Sequence, residues 1–187
     1  LATRLILLCA GATASQRIGA FAAAEEPLDE GGRAKAAMRR IDGPAPARIY
    51  AAPTRAAAET AVAMGLAAET APALADADAG AWAGRSLVDL HAADPERLMQ
   101  WLADPAAGAP GGETLAAVVA RVGVWLDERA SEETTLLAIA PAAAIRAAIA
   151  HALDLPPPAT LRIDVAPLGT AILSFNRLWR LQELRQA

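Results

Sequence analysis

The stretch Arg4-Leu5-Ile6-Leu7-Leu8-Cys9-Ala10-Gly11-Ala12-Thr13 decides how the rest of the chain is read. From Arg4 to Cys9 it is a continuous apolar run of strand length, as in a parallel strand covered on both faces, and small residues then end it at Gly11. A second stretch has the same form. Thr134 to Ala140 reads as a strand, Pro141 breaks it, and Ala142 to Leu153 reads as a helix.

Working outward, the loop from Gly11 to Asp29 leads to a helix from about Glu30 to Ile41, and Arg48 to Ala52 is a further strand. Thr54 stands at an N-cap position before a helix that runs through Met64 to Gly65. Ala68 to Leu74 is a weaker strand, followed by a loop from Asp76 to Gly84. Ser86 to Trp101 reads as two short helices divided at Asp94-Pro95, and Asp104 to Gly112 as an exposed loop. The helix from Glu113 to Ala130 places Leu115, Val118 or Val119, Val122 and Trp125 on one face. After the stiff Pro156-Pro157-Pro158 connector, strands are expected over Thr160 to Ala166, Thr170 to Phe175 and Leu178 to Leu184. This alternation predicts an α/β fold, a three-layer α/β/α sandwich on a mostly parallel sheet. One domain is expected over residues 1–187, with a helical insertion at about 86–112. Cys9 to Thr13 and Ala140 to Ala142 then lie at the carboxyl ends of strands, where such sheets bind ligands.

Five segments, in order, resemble the histidine phosphatase superfamily, the phosphoglycerate mutase-like proteins. The family's opening Arg-His-Gly-Glu-Ser/Thr is matched by Cys9-Ala10-Gly11-Ala12-Thr13, with Gly11 and Thr13 in place, Ala10 for the nucleophilic histidine and Cys9 for the arginine. Its Ser-Ser-Pro-x-x-Arg-Ala-x-x-Thr-Ala is matched by Ala51-Ala52-Pro53-Thr54-Arg55-Ala56-Ala57-Ala58-Glu59-Thr60-Ala61, with Arg55 as the second phosphate-binding arginine. Asp76-Ala77-Asp78-Ala79-Gly80-Ala81-Trp82-Ala83-Gly84 looks like the family's Glu-x-Asp-x-Gly-x-Trp-Glu-Gly loop, with Asp76 at the proton-donating acid. Pro110-Gly111-Gly112-Glu113-Thr114 is similar to its Pro-x-Gly-Glu-Ser. Finally, Ala140-Pro141-Ala142-Ala143 replaces Ser-His-Gly-Gly, so the second catalytic histidine has become Pro141. The resemblance implies a phosphoglycerate mutase-like fold in which neither histidine is present.

Composition narrows the function further. Hydrophobic residues make up 55% of the 187, alanine supplies about half of these and aromatics only 4%, so small side chains at close approach must build the core. A net charge of −4 and the lack of a basic stripe argue against a nucleic-acid surface. One cysteine excludes an intrachain disulfide, and with only His91 and His151 beside it there is no ligand set for structural zinc. Neither a metal nor a cofactor is expected. Arg4 followed by four apolar residues could pass for a short signal peptide, but the run stops at Gly11 and a buried first strand is the better reading. No stretch reaches the roughly 20 apolar residues of a membrane span, and a cytoplasmic protein is expected.

In the intact family a histidine becomes phosphohistidine, an acid protonates the leaving oxygen, and arginines with the second histidine hold the phosphoryl charge. With Ala10, Cys9 and Pro141 at three of those positions, the expectation is a catalytically inactive member with a binding or regulatory role. Residual groups would be Asp76 as an acid and Arg55, Gly11, Thr13 and Cys9 around a small molecule or a weakly held anion. Arg55 and Asp76 could also form a leftover ion pair. The alternative is a weak or altered phosphatase using Asp76 and Arg55. A protein partner or a homodimer, through an edge strand or the Ser86 to Trp101 helices, is the third reading. Cys9 reads as a buried small apolar side chain and His151 as a helix histidine far from the strand ends. His91 lies on the insertion that can overhang the pocket, and Arg146 reads as a helix-surface or salt-bridge residue. Trp82, Trp101, Trp125 and Trp179 are assigned to packing.

Overall fold

The computed structural model describes residues 2–187. Six strands, β1 (Thr3–Cys9), β2 (Arg48–Ala51), β3 (Glu69–Thr70), β4 (Thr135–Ala140), β5 (Thr170–Asn176) and β6 (Leu178–Arg185), form one sheet in the order β3-β2-β4-β1-β5-β6. The first four strands run parallel, and β5 and β6 are antiparallel additions at one side. In β1 only Arg4 is not buried, and in β4 only Thr135, which is the pattern of strands covered on both faces.

The described residues form seven α-helices: α1 (Ala14–Ile18), α2 (Glu30–Met38), α3 (Arg55–Ala63), α4 (Leu87–Ala93), α5 (Pro95–Ala103), α6 (Leu115–Asp127) and α7 (Ala142–Ala152). Helices α6 and α7 pack on each other, with α7 against β1, β5 and β6. Helices α2 and α3 pack together, with α3 against β2 and β4. The result is the expected three-layer sandwich. Alanine makes the close approach feasible, because Ala144, Ala147, Ala148 and Ala150 of α7 are all at most 1% exposed. Where α6 meets α7, Gly123 leaves room for the His151 ring, and a Cβ there would collide with it.

Local chemistry fixes the helix starts. Thr54, Ser86, Asp94 and Thr114 each accept an N–H from the first turn of the following helix, at 3.3, 3.1, 3.0 and 3.1 Å. Thr114 caps a helix that begins at Leu115 rather than Glu113. The segment 86–112 carries α4 and α5 over a small cluster of their own, in which Trp82, Leu90, Leu98 and Ala109 meet Phe21 and Trp101. Within it, Phe21, Trp82 and Trp101 form a ring triad with centroids 5.3–5.8 Å apart.

Four expectations need correction. Thr160 to Ala166 is not a strand, since residues Pro157–Arg162 form a 3-10 turn locked by the Thr160 hydroxyl donating to the Pro157 carbonyl at 2.7 Å. Consecutive prolines offer no N–H to a ladder, and their fixed φ suits a tight turn. Ala68 to Leu74 shortens to the two residues of β3, because Pro72 starts another 3-10 turn that drives Leu74 fully into the core. The loop from Gly11 to Asp29 contains α1, where the Gln16 side chain accepts the Thr13 N–H at 3.3 Å and Gly19, at φ 64°, ends the helix in the left-handed region. Finally, the Asp104 to Gly112 stretch is only partly an exposed loop, with a 3-10 turn at Pro105–Ala107 and Ala109 buried.

Candidate active-site pocket

The ends of β1, β2 and β4 open on a pocket of about 280 Å³. The β1 turn contributes Cys9, Ala10, Gly11 and Thr13, and the start of α3 contributes Pro53, Thr54 and Ala56. Residues Ala75 to Ala79 form a wall, Pro141 borders the pocket at the start of α7, and Gln16, Ala22 to Ala24, Glu26 and Ala83 complete it. Thus four of the five sequence motifs meet at one place, and the fifth supports it from behind.

The floor is held by backbone and hydroxyl contacts. Gly11 donates its N–H to the Thr60 hydroxyl at 3.0 Å, and that hydroxyl donates to the Ala56 carbonyl at 2.7 Å. Gly11 is also tightly approached from α2, as a Cβ there would lie 3.0 Å from the Leu28 side chain and 3.2 Å from the Gly32 carbonyl. Cys9 is 1% exposed, and burial pushes its thiol up to about 12 against the pull of nearby Arg146. A neutral thiol at neutral pH is a poor nucleophile.

The wall is clamped from outside by two side chains. Arg121 donates to both carboxylate oxygens of Glu113, each at 2.8 Å, and to the carbonyls of Ala73, Ala75 and Asp76 at 2.7, 3.1 and 3.0 Å. Glu113 in turn accepts the Asp78 N–H at 3.0 Å, and its own N–H bonds the Asp78 carbonyl at 2.9 Å. The two loops touch backbone to backbone, so a Cβ on Gly112 would collide with the Asp78 carbonyl. Asp76 borders the pocket, with Oδ1 accepting the Ala77 N–H at 2.8 Å. Burial raises its pKa above the ordinary 3.8, while the Ala77 N–H, Arg121 and Arg146 oppose that rise.

Arg55 is placed elsewhere. Its side chain is 51% exposed and bonds Glu59 one helical turn on, at 2.8 Å, while Glu59 also accepts from Arg33 and from the Leu28 N–H. Arg55 does not border the pocket, and it forms no pair with Asp76. Each residue of an α-helix turns the side chain by about 100°, so the pocket-facing position falls to Ala56. Counted from Pro53, the motif's arginine also falls on residue 56, a signal available in the sequence. Arg146 is neither surface-exposed nor paired among the described residues: it is half-buried, its Nε has no partner, and it lies beside Thr160 and Leu161.

Neither histidine reaches the pocket. His151 bonds Asp127 at 3.0 Å on the α6–α7 side, and Asp127 also accepts the Trp179 indole N–H at 3.1 Å. His91 is exposed on α4. Sequence reasoning missed Glu26 as a lining residue and Arg121 as the clamp of the wall. Among the described residues no group of three or more histidine, cysteine or acidic side chains could hold a metal ion, and no helix is long and apolar enough to cross a membrane.

A pocket at the carboxyl ends of a mostly parallel sheet, bordered by these motifs in this order, defines a phosphoglycerate mutase-like α/β protein. The chain belongs to the histidine phosphatase superfamily (branch 1), whose profile matches residues 5–185. Its fold is similar to that of a putative alpha-ribazole-5'-P phosphatase from Escherichia coli, at 20% identity and TM-score 0.88 over 100% of this chain and 97% of that one. A mycobacterial glucosyl-3-phosphoglycerate phosphatase follows the same fold at 22% identity and TM-score 0.83, with all of both chains covered. A histidine-to-alanine mutant of the phosphoserine phosphatase from Entamoeba histolytica, in complex with phosphoserine, is also similar, at 21% identity and TM-score 0.80 over 98% and 96% of the chains. No curated protein sequence matches the chain.

Proposed function

We propose that this chain is a histidine phosphatase-fold protein without phosphohistidine chemistry, and that its pocket serves to bind a ligand. One observation carries the reading: the pocket is lined by no histidine, arginine or lysine, with Ala10, Ala56 and Pro141 bordering it where the family's motifs place catalytic or phosphate-binding side chains. A phosphoryl group transferred to protein needs a nucleophile and charge stabilisation, and removal of a single stabilising donor costs about 10²–10³ in rate. Here the nucleophile and its stabilisers are absent together.

The phosphoserine complex of the Entamoeba mutant bears on this directly, because loss of a histidine in that protein leaves phosphoserine bound. The present pocket lacks every basic side chain, which is a larger change. The rival reading, a weak phosphatase, retains Asp76 in a pocket with its pKa raised as a general acid requires, but it loses Arg55 to Glu59. Hydrolysis of p-nitrophenyl phosphate and phosphoserine by the full chain separates the two. The expected result is no turnover above buffer, whereas turnover that disappears in Asp76→Asn establishes the rival.

A further inference from the structure

The charge of the pocket lining points to what the pocket holds. Its ionisable side chains, apart from the neutral Cys9, are Glu26, Asp76 and Asp78, while much of the rest of the wall is alanine methyls with Pro53 and Pro141. Both oxygens of Glu26 are taken by Ser15, through its N–H at 2.7 Å and its hydroxyl, so Glu26 supplies charge more than a free acceptor. Asp76 and Asp78 each commit one oxygen, to the Ala77 and Gly80 N–H groups, both at 2.8 Å. Their second oxygens accept no hydrogen bond from the described residues. Asp76 is half-buried and Asp78 exposed, so each leaves an acceptor at the border of a preformed cavity.

The positive charges near Asp76 do not line the pocket. Arg121 is committed to Glu113 and three carbonyls behind the wall, and Arg146 lies on the α7 side. Among the described residues no three histidine, cysteine or acidic side chains group as metal ligands. An anion entering this space would face three acidic side chains with no basic side chain in the lining, and a neutral donor would bond the Asp76 oxygen without balancing that charge. An acceptor that a ligand covers must find a partner in it, and a charge-assisted donor satisfies a carboxylate best.

We propose that the pocket binds a small organic cation, a primary ammonium group on a compact apolar body, with Asp76 and Asp78 accepting from the ammonium and the alanine and proline wall covering the body. The proposal rests on the reading that this pocket no longer handles phosphate, and it names the ligand class that replaces it.

Three probes with one apolar body and different heads test it: benzylammonium, benzyl alcohol and benzyl phosphate, titrated into the full chain by calorimetry near neutral pH. Benzylammonium binds at least about tenfold more tightly than benzyl alcohol, and benzyl phosphate binds most weakly. Asp76→Asn and Asp78→Asn each lower benzylammonium affinity by about tenfold and leave benzyl alcohol unchanged, with thermal unfolding confirming that the variants fold. If a variant fails to fold, the order of the three probes on the unaltered chain decides alone. Equal affinity for ammonium and alcohol, tightest binding of the phosphate, or no binding of benzylammonium at millimolar concentration overturns the proposal. Phosphate release from benzyl phosphate, followed in parallel, reads the preceding proposal separately. Turnover with the ammonium preference intact defeats only the loss of chemistry, and a reversed order without turnover defeats only the cation.

Discussion

Two regions border the pocket and carry arginine–glutamate pairs of very different character. Behind the Ala75 to Ala79 wall, Arg121 and Glu113 are each about one-quarter exposed and bond one another twice, and through three carbonyls and the Asp78 amide they fix the backbone that presents Asp76 and Asp78. At the start of α3, Arg55 and Glu59 form an i,i+4 pair with the arginine half in solvent, and the pocket side of that helix presents Ala56. The first pair shapes the site, whereas in the second Glu59 ties the Leu28 amide to α3 and Arg55 adds only a surface contact. The difference shows that the identity of a charged residue near a pocket matters less than the direction its backbone gives it and the number of buried polar groups that depend on it.

The strongest way to break this comparison is at the clamp. Arg121→Leu leaves the Glu113 carboxylate and three carbonyls without their donor, and urea unfolding should show a loss of about 3 kcal/mol. An effect below about 1 kcal/mol would place Arg121 with the surface arginines. Glu113→Gln keeps the shape and weakens the charge, so a smaller loss of about 1–2 kcal/mol is expected, with faster amide exchange at Asp78.

Asp76→Asn sharpens the comparison from the pocket side. Burial raises the folded carboxyl above the ordinary 3.8, so the stability tied to its protonated form is fully present below that value and is lost as pH rises through the folded pKa. Asparagine keeps the acceptor for the Ala77 N–H and never ionises. The variant should therefore melt slightly above the wild type at neutral pH, with the gap closing below pH 3.8. A constant gap at all pH values would deny that the fold raises the Asp76 pKa. The smallest effect is expected from Arg55→Ala, within about 0.5 kcal/mol in unfolding and without change in the calorimetry of any pocket ligand. A marked loss of phosphate or tungstate binding in that variant would restore Arg55 to the site.

Much of this was legible in the sequence. The strands β1 and β4 were readable because unbroken apolar runs have few other uses in a chain of this kind, and the helix starts at Thr54 and Asp94 because capping is local. The segment 160–166 was not, since its apolar content suits a strand while three prolines just before it favour a turn. Asp76 was legible through its motif and does border the pocket. Arg55 misled because a motif read by residue type slipped one position, and Arg121 was invisible because none of its bonds beyond Glu113 involves a side chain.

What the sequence by itself determined is covalent or local: which side chains stand at residues 10, 56 and 141, the alternation of the main strands and helices, and the caps at Thr54 and Asp94. What only the tertiary structure decided is direction and company. A single step along α3 turns a side chain by about 100°, enough to move Arg55 out of the pocket and bring Ala56 in. The gathering of Glu26, Asp76 and Asp78 around one cavity arises from contacts between loops far apart in the chain, and no local pattern encodes it.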